Sequence, residues 1–356
     1  MPELPQNEPH QWLSRRRLIG AFALVLGTAT AVALSRCSQD GPPPRFPEQP
    51  PVTADPRRAA TPEPAALEAA RAPQSPRTCD PPAPLPTTRF AVIGDYGQAG
   101  PNEQSVAQFV KSQKPEFVVT TGDNNYVYGE QKTIDVNIGQ YYAEYICPYF
   151  GAFGPGAGVN RFFPALGNHD WYTRSLPYLD YFQLPGNERY YDVVWGNVHL
   201  FVIDSDEHEP DGIEANSKQA AWLRDRLAAS KARWKIVTMH HPPYSSGSHG
   251  SSLELRWPYE AWGASLVLAG HDHHYERVEV GKLPYIVNGL GGRSIYPIGE
   301  PIPGSAVRFA EAYGAQLIEA TATSLVSRFF TVNGKLIDER KLGGESIGSA
   351  APAPLE

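Results

Sequence analysis

The sequence predicts an α/β fold with one sizeable core between residues 88 and 342, and two patterns lead to this prediction. Short apolar runs typical of buried strands alternate with helical patterns along this stretch. Five of these runs end at a glycine or a turn that is followed by a side chain able to bind a metal ion. Histidine is clustered as well, because seven of the ten histidines lie near residue 169, within 240–249 or within 271–274.

The individual elements follow from the same patterns. Buried strands are expected at 89–93, 117–121, 162–166, 235–239 and 266–269. Helices are expected at 103–113, where Asn102 would provide the cap, at 134–146, and at 216–230, whose apolar residues share one face. Hairpins are expected across Gly196-Asn197 and across Asn333-Gly334.

The N-terminal residues 1–36 have the pattern of an export signal. Arg15 and Arg16 precede an apolar run over residues 18–34, which is the order of a basic and then a hydrophobic region. The arginine pair resembles a twin-arginine signal, so we expect a periplasmic or secreted protein. The alternatives are an uncleaved segment that tethers the protein to the membrane, and a lipidated Cys37.

Proline separates this signal from the folded part of the chain. Of the 35 prolines, 15 lie between residues 41 and 86, and such a segment buries too little apolar surface to offset its ordering entropy. We therefore expect a disordered linker over 37–87, a catalytic domain over 88–342 and a disordered tail over 343–356.

Composition excludes several classes of protein. The net charge of −7 argues against a nucleic-acid binder, and no later apolar run is long enough for a multi-span membrane protein. Three cysteines are too few for a disulfide scaffold or a cysteine-rich zinc module. Cys79 and Cys147 could pair in an oxidising compartment, and two free thiols are the alternative.

Five short motifs follow the five strand ends. They are Gly94-Asp95-Tyr96-Gly97, Gly122-Asp123-Asn124-Asn125-Tyr126, Gly167-Asn168-His169-Asp170, Val237-Thr238-Met239-His240 and Gly270-His271-Asp272-His273. Each motif alone fits an ordinary turn or a satisfied core histidine. Together they predict a site, because ligands in open α/β sheets bind outside the carboxyl ends of strands. We expect all five ends to meet at one sheet edge.

This set of motifs resembles the five-block signature of the purple acid phosphatases, within the metallophosphoesterase superfamily. The resemblance covers about residues 89–290 and is closest to the short, single-domain, tartrate-resistant type. It implies a four-layer α/β/β/α sandwich in which two mixed sheets are flanked by helices. It also implies a hydrolase that uses two metal ions.

The resemblance assigns the metal ligands residue by residue. One metal would be held by Asp95, Asp123, Tyr126 and His273, and the other by Asp123, Asn168, His240 and His271, so that Asp123 bridges. A tyrosine hydroxyl ordinarily titrates near pH 10, and a tyrosinate ligand therefore needs a strongly acidic metal such as Fe(III). The expected cofactors are Fe(III) and a divalent ion, Fe²⁺, Zn²⁺ or Mn²⁺, since oxygen and imidazole donors suit these metals.

Two further histidines are implied to act on the substrate. His169 would contact the phosphate, and the alternative is that it only orients Asp170. His249 would lie over the leaving group, and the alternative is a mobile histidine in a Gly/Ser loop. His241 and His274 adjoin ligands and are expected to support them or to lie at the surface, while Tyr172 and Tyr244 either line the pocket or pack.

The expected function is that of an exported acid phosphatase, which hydrolyses phosphate monoesters with a metal-bound hydroxide as nucleophile and Asp123 as the central catalytic carboxylate. Its partner would be a small phosphate ester, not a nucleic acid, with membrane contact only through an uncleaved N-terminal segment. The alternatives are a phosphodiesterase of the same fold and a non-catalytic surface module. The natural substrate and the oligomeric state are left open.

Overall fold

Two β-sheets make up most of the part of the chain that the computed structural model describes, residues 86–343. The expected signal, the expected linker up to residue 85 and the expected tail from residue 344, with Cys37 and Cys79, lie outside the described residues. Gly343, expected to begin the tail, is the last residue of the final strand. The strands are β1 (Thr88–Ile93), β2 (Phe117–Thr120), β3 (Phe162–Pro164), β4 (Tyr191–Trp195), β5 (Val198–Val202), β6 (Trp234–Thr238), β7 (Leu266–Ala269), β8 (Tyr275–Val280), β9 (Leu283–Asn288), β10 (Ser305–Phe309), β11 (Gly314–Ala320), β12 (Ser324–Thr331) and β13 (Leu336–Gly343).

The helices lie between these strands. They are α1 (Pro101–Ser112), α2 (Gln131–Ile134), α3 (Gln140–Tyr142), α4 (Asn168–Trp171), α5 (Leu176–Tyr181) and α6 (Lys218–Ala229), with a π-helical turn at Asp135–Gly139 and 3₁₀ turns at Ala143–Tyr145 and Leu253–Leu255. Over residues 86–343, none of these helices has the length and apolar character needed to cross a membrane.

Both sheets are mixed. The first has the strand order β13-β12-β11-β1-β2-β3, in which β1, β2 and β3 are parallel and β11 to β13 are antiparallel neighbours. The second has the order β10-β8-β9-β7-β6-β5-β4, with β5, β6, β7 and β9 parallel. In the second sheet the parallel strands lie in the interior, where both faces can be covered. In the first sheet β1 and β2 are interior, and β3 forms the edge.

Alternation along β5 shows how the layers stack. Leu200 and Val202 belong to the core cluster that also contains Ile93 of the first sheet, whereas Phe201 packs in a second cluster with Leu223 of α6. Successive side chains of a strand point to opposite faces, so the second sheet lies between the first sheet and α6. On the far side, α1 packs Phe109 against Phe330 of β12. The predicted four-layer sandwich is confirmed.

The structure differs from three local expectations. Asn102 does not cap its helix: α1 begins at Pro101, and the Asn102 amide donates to the Tyr313 hydroxyl at 3.1 Å. Proline fits this first position because the missing N–H would have no helical partner there. The helix expected at 134–146 is broken into short α, π and 3₁₀ turns. Cys147 is disulfide-bonded, so the free-thiol alternative is wrong for that residue.

Candidate metal centre

The ends of five parallel strands deliver the predicted ligands, but they come from two sheets. Asp95, Asp123 and Asn168 follow β1, β2 and β3 of the first sheet, whereas His240 and His271 follow β6 and β7 of the second. The expectation of a single sheet edge is therefore wrong. Because the two sheets pack face to face, their carboxyl ends open on the same side and the ligands still converge.

Backbone conformation at three of these positions is unusual. Asp95, Asp123 and His271 have φ values of 53°, 55° and 70°, in the left-handed region that costs most residues energy. Such conformations persist where the surrounding structure fixes them, and they concentrate at functional sites. Here hydrogen bonds fix them: the His271 N–H donates to Asp95 Oδ2 at 2.9 Å, which ties the two sheets together.

Tyr126 is the centre of the first group of donor atoms. Its hydroxyl lies 3.1 Å from Asp95 Oδ1, 2.7 Å from Asp123 Oδ2 and 3.2 Å from His273 Nε2. His273 Nε2 is also 3.2 Å from Asp95 Oδ1. All four side chains are buried. The structure therefore brings together the four residues that the resemblance assigns to one metal.

His240 is the centre of the second group. Its Nε2 lies 3.0 Å from Asn168 Oδ1, 3.1 Å from His271 Nδ1 and 3.4 Å from Asp123 Oδ1. Asp123 thus uses one oxygen in each group. This is the arrangement required of a bridging carboxylate.

The donor set fits a pair of cations. His240 Nδ1 lies 2.8 Å from the Thr121 carbonyl, and a carbonyl oxygen only accepts, so this nitrogen carries the proton. In a neutral ring Nε2 then has a lone pair, which faces the amide oxygen of Asn168, itself an acceptor. Two acceptors at this distance are satisfied by a proton or a metal ion between them. A grouping of Asp95, Asp123 and His240 with donor atoms within 4.8 Å supports the same conclusion.

Electrostatics favours the deprotonated, metal-binding form of Asp123 and His271 and opposes it at Tyr126 and His240. Burial lowers the pKa of His240, but the carboxylates of Asp123 and Asp95 outweigh burial and raise it. Burial opposes ionisation of Asp123, but His240 and other neighbours lower the pKa of its carboxyl to about 2. Burial, reinforced by neighbouring histidines, holds the pKa of His271 well below its usual range. Metal ligands must be deprotonated, so both residues are ready to bind. Burial, and then Asp123 and Asp95, raise the pKa of the Tyr126 hydroxyl well above 10.

His169 lies beside the two groups and does not orient Asp170. Its Nδ1 is 2.5 Å from the Val127 carbonyl, its ring centre is 4.4 Å from that of Tyr126, and its Nε2 is 3.9 Å from Asp123 Oδ2. Asp170 instead accepts N–H groups from Gly167 and from Asn124. The alternative role considered for His169 is therefore wrong.

His249 stands at the rim of the second group. Its exposed ring lies 4.2 Å from the His271 ring. The loop that carries it is anchored, because Asp272 accepts the His249 N–H and the Ser245 hydroxyl, while Glu276 accepts both the N–H and the hydroxyl of Ser246. These bonds argue against a freely mobile histidine.

The sequence predicted only a supporting or surface place for His241, and it gave no indication of Ser294 and Tyr296. His241 lies with its ring 4.4 Å from His271 and offers a nitrogen to an alternative trio with His240 and His271. After β9, Ser294 lies 2.6 Å from His273 Nδ1, and Tyr296 stacks on the His273 ring at 4.1 Å. The doubled histidine at 240–241 was the one visible signal. The segment after β9 had none, because only folding brings it to the site.

Tyr172 and Tyr244 differ in placement. Tyr172 is exposed beside His169, with ring centres 5.2 Å apart. Tyr244 packs against Tyr285 and beneath Arg256, so its role is packing. His274 is buried next to Glu276 and is not a surface residue.

Comparison with known proteins gives the chain a family. Residues 88–275 match the calcineurin-like phosphoesterase family. The chain is 30% identical over 244 residues to purple acid phosphatase 17 of Arabidopsis thaliana, covering 58% of this chain and 68% of that one. It is 23% identical over 248 residues to tartrate-resistant acid phosphatase type 5 of Mus musculus, covering 59% and 74%.

Solved structures agree on the fold. A purple acid phosphatase from yellow lupin (Lupinus luteus) seeds superposes with a TM-score of 0.63 at 18% identity, covering 74% of this chain and 55% of the lupin chain. GAP50, the anchor in the inner membrane complex of Plasmodium, has a TM-score of 0.58 at 20% identity, covering 73% and 89%. The resemblance read from the five motifs is confirmed: the chain belongs to the calcineurin-like phosphoesterase family, among the purple acid phosphatases.

Proposed function

We propose that this chain is an exported acid phosphatase that hydrolyses phosphate monoesters at a binuclear metal centre. Family membership supports phosphate-ester hydrolysis. The observation that carries the binuclear part is the meeting of seven donor side chains in two groups that share Asp123, at separations of 2.7 to 3.4 Å.

The donor types support Fe(III) with a divalent partner, Fe²⁺, Zn²⁺ or Mn²⁺. Burial and two carboxylates hold the Tyr126 hydroxyl in its neutral form, so only a strongly acidic ion would displace its proton. When bound, such a pair would supply the nucleophile and neutralise the charge of an in-line transition state.

The chain's own residues would hold the substrate and the leaving group. The Val127 carbonyl fixes the proton of His169 on Nδ1. When the ring is charged, Nε2 can donate to a phosphate oxygen beside Asp123. The position of His249 at the rim, with its ring 4.2 Å from the His271 ring, supports a role in protonating a departing alkoxide. General acid catalysis of this kind contributes about 10²–10⁴-fold.

The low pKa values of two carboxylates support activity at acidic pH. The pKa of Asp123 near 2 keeps the bridging carboxylate ionised under mildly acidic conditions. The pKa of Glu276 is about 2 as well, because His274 and the serine hydroxyls outweigh the effect of burial. Both the bridge and the loop anchor therefore persist where an acid phosphatase operates.

The direct test is turnover by protein whose metal content has been measured. We expect faster hydrolysis of p-nitrophenyl phosphate than of bis(p-nitrophenyl) phosphate, with an optimum below neutral pH. Preference for the diester would favour the phosphodiesterase alternative, and full metal loading without turnover would favour a non-catalytic module.

Variants of two buried histidines, one in the site and one outside it, test whether His240 binds metal. His240→Asn should lose metal and activity. His199→Asn should keep both, because His199 pairs with Asp192 and Ser230 away from the centre. Equal metal loss in the two variants would contradict the assignment of His240.

Export rests on the N-terminal pattern and has its own test. Replacing Arg15 and Arg16 by lysine should retain the protein in the cytoplasm, because the twin-arginine pathway reads the pair. Unchanged export of the variant would point to the general secretory route or to an uncleaved anchor.

A further inference from the structure

Arg293 places an unpaired positive charge beside the candidate centre. Its Cζ lies 5.1 Å from the centre of the Tyr126 ring, and the side chain is half-buried. Within residues 86–343 its guanidinium forms neither a hydrogen bond nor an ion pair. Arg189, Arg277 and Arg328, by contrast, each bind carboxylates.

The backbone holds Arg293 in this place. Its N–H donates to the Asp95 carbonyl at 3.0 Å, and the Gly291 N–H donates to the Gly94 carbonyl at 2.9 Å. A Cβ at position 291 would lie 2.3 Å from the Gly94 oxygen, so glycine is required for this approach. The glycine-rich turn after β9 thus brings Arg293 against the Asp95 turn.

Charge around the centre gives Arg293 a distinct position. Over residues 86–343, Arg293 is the only lysine or arginine whose side chain makes a hydrogen bond, an ion pair or a ring contact with one of the seven predicted ligands. Arginine is always charged, and its planar fork fits a phosphate or a carboxylate through two parallel hydrogen bonds. Such a group, half-buried and without an anion, is suited to an anion supplied by a ligand.

We propose that Arg293 binds a second anionic group of the substrate, a phosphate or carboxylate distinct from the phosphoryl group that is cleaved. The inference rests on the proposed function and narrows it to phosphate esters that carry a further anion. In hydrolysis, water adds across the P–O bond to give inorganic phosphate and an alcohol. Arg293 takes no part in the bond changes and sets specificity through binding.

The test compares two alkyl phosphates of similar size. Phosphoglycolate carries a carboxylate and ethyl phosphate does not. Arg293→Gln should lower kcat/KM for phosphoglycolate about tenfold or more, as expected for loss of a hydrogen bond between charged groups. This loss should lie mainly in KM. The kcat/KM for ethyl phosphate should change less than about threefold. Arg293→Lys should recover part of the loss on phosphoglycolate.

Arg233→Gln is the matched control. Arg233 also lies over an aromatic ring, with Cζ 5.0 Å from the Trp234 ring, but it is exposed at the opposite end of β6 from His240. This variant should leave both substrates unaffected. Equal losses on both substrates in Arg293→Gln, or no loss on either, would overturn the proposal.

Binding measured by calorimetry separates this proposal from the proposed function. Methylenediphosphonate carries two anionic groups and methylphosphonate one, and neither is hydrolysed. Arg293→Gln should weaken only the first, with metal content unchanged. If the wild-type protein hydrolyses no phosphate ester, the proposed function fails, while the binding comparison still decides the role of Arg293.

Discussion

Asp123 offers the sharpest test of the centre, and asparagine is the cleanest replacement. Its φ of 55° lies in the left-handed region, which asparagine tolerates far better than alanine. Asp123→Asn therefore keeps the size and backbone of the residue and removes the charge. One carboxylate serves both donor groups, so we expect this single change to release both metals.

The structure also indicates how much stability Asp123→Asn should lose when no metal is bound. Asp123 Oδ1 accepts the His169 N–H at 3.0 Å, and Oδ2 accepts the Tyr126 hydroxyl at 2.7 Å. An amide offers one acceptor and one donor end, so the His169 N–H can keep its acceptor while the Tyr126 hydroxyl turns to Asp95 Oδ1, 3.1 Å away. The change therefore removes hydrogen bonds to a charged group, each worth about 1.5–3 kcal/mol, and we expect a loss of stability of that size in chelator.

The assay combines metal analysis with thermal unfolding, with and without added metal. Wild-type protein should gain stability on loading, about 4 kcal/mol at a free concentration a thousand times Kd, and Asp123→Asn should gain almost none. Turnover should fall by more than about 100-fold, the upper loss found even when partners outside the ligand shell are removed.

Asp170→Asn is the control, because Asp170 is equally buried nearby but accepts only N–H groups from Asn124 and Gly167. It should keep both metals. Two metals and near-normal turnover in Asp123→Asn would refute the bridge.

Three further outcomes are expected. Tyr126→Phe should abolish any purple or pink charge-transfer band while leaving some divalent metal, and colourless, active, iron-free wild-type protein would contradict the tyrosinate. His249→Ala should slow alkyl phosphates far more than p-nitrophenyl phosphate. Gly247→Ala should also slow alkyl phosphates more, because its Cβ would lie 2.1 Å from the Asp272 Cγ and displace the anchor of the His249 loop. Equal losses on both substrates would instead indicate that His249 binds the phosphate. The pKa of Glu276 is lowered to about 2, so its stabilising effect is present above its unfolded pKa near 4.5 and is lost as the pH falls towards 2. In Glu276→Gln, the free energy of unfolding measured with denaturant should therefore depend less on pH between about 4.5 and 2.

Much of the fold could be predicted from sequence because strands and turns follow local patterns, and the ligand set could be predicted because the five motifs resemble those of a known family. Apolar runs such as 266–269 become strands wherever they are buried, and the five motifs place donors directly after them. The prediction that Asn102 caps the first helix was wrong because Pro101 already begins that helix. The prediction of one continuous helix at 134–146 was wrong because apolar spacing does not reveal where a helix breaks into π and 3₁₀ turns.

The rim of the site was harder because it depends on contacts between distant segments. Ser294 and Tyr296 carry no motif, yet both contact His273. Asp272 was visible only as a spacer between two histidines, and it proves to anchor the His249 loop through the His249 N–H. Such partners are chosen by packing, which a single sequence does not encode locally.

The position of the centre between two sheets links catalysis to the stability of the fold. Asp95 and Asp123 belong to the first sheet, whereas His240 and His271 belong to the second. Without metal, the contacts across this seam include the His271 N–H bond to Asp95 and the opposed acceptors of His240 and Asn168. A cation there would turn an unfavourable contact into a cross-link. Because a ligand that binds only the folded state stabilises it, metal occupancy should raise the unfolding temperature of the sandwich as a whole, and not only order the loops around the site.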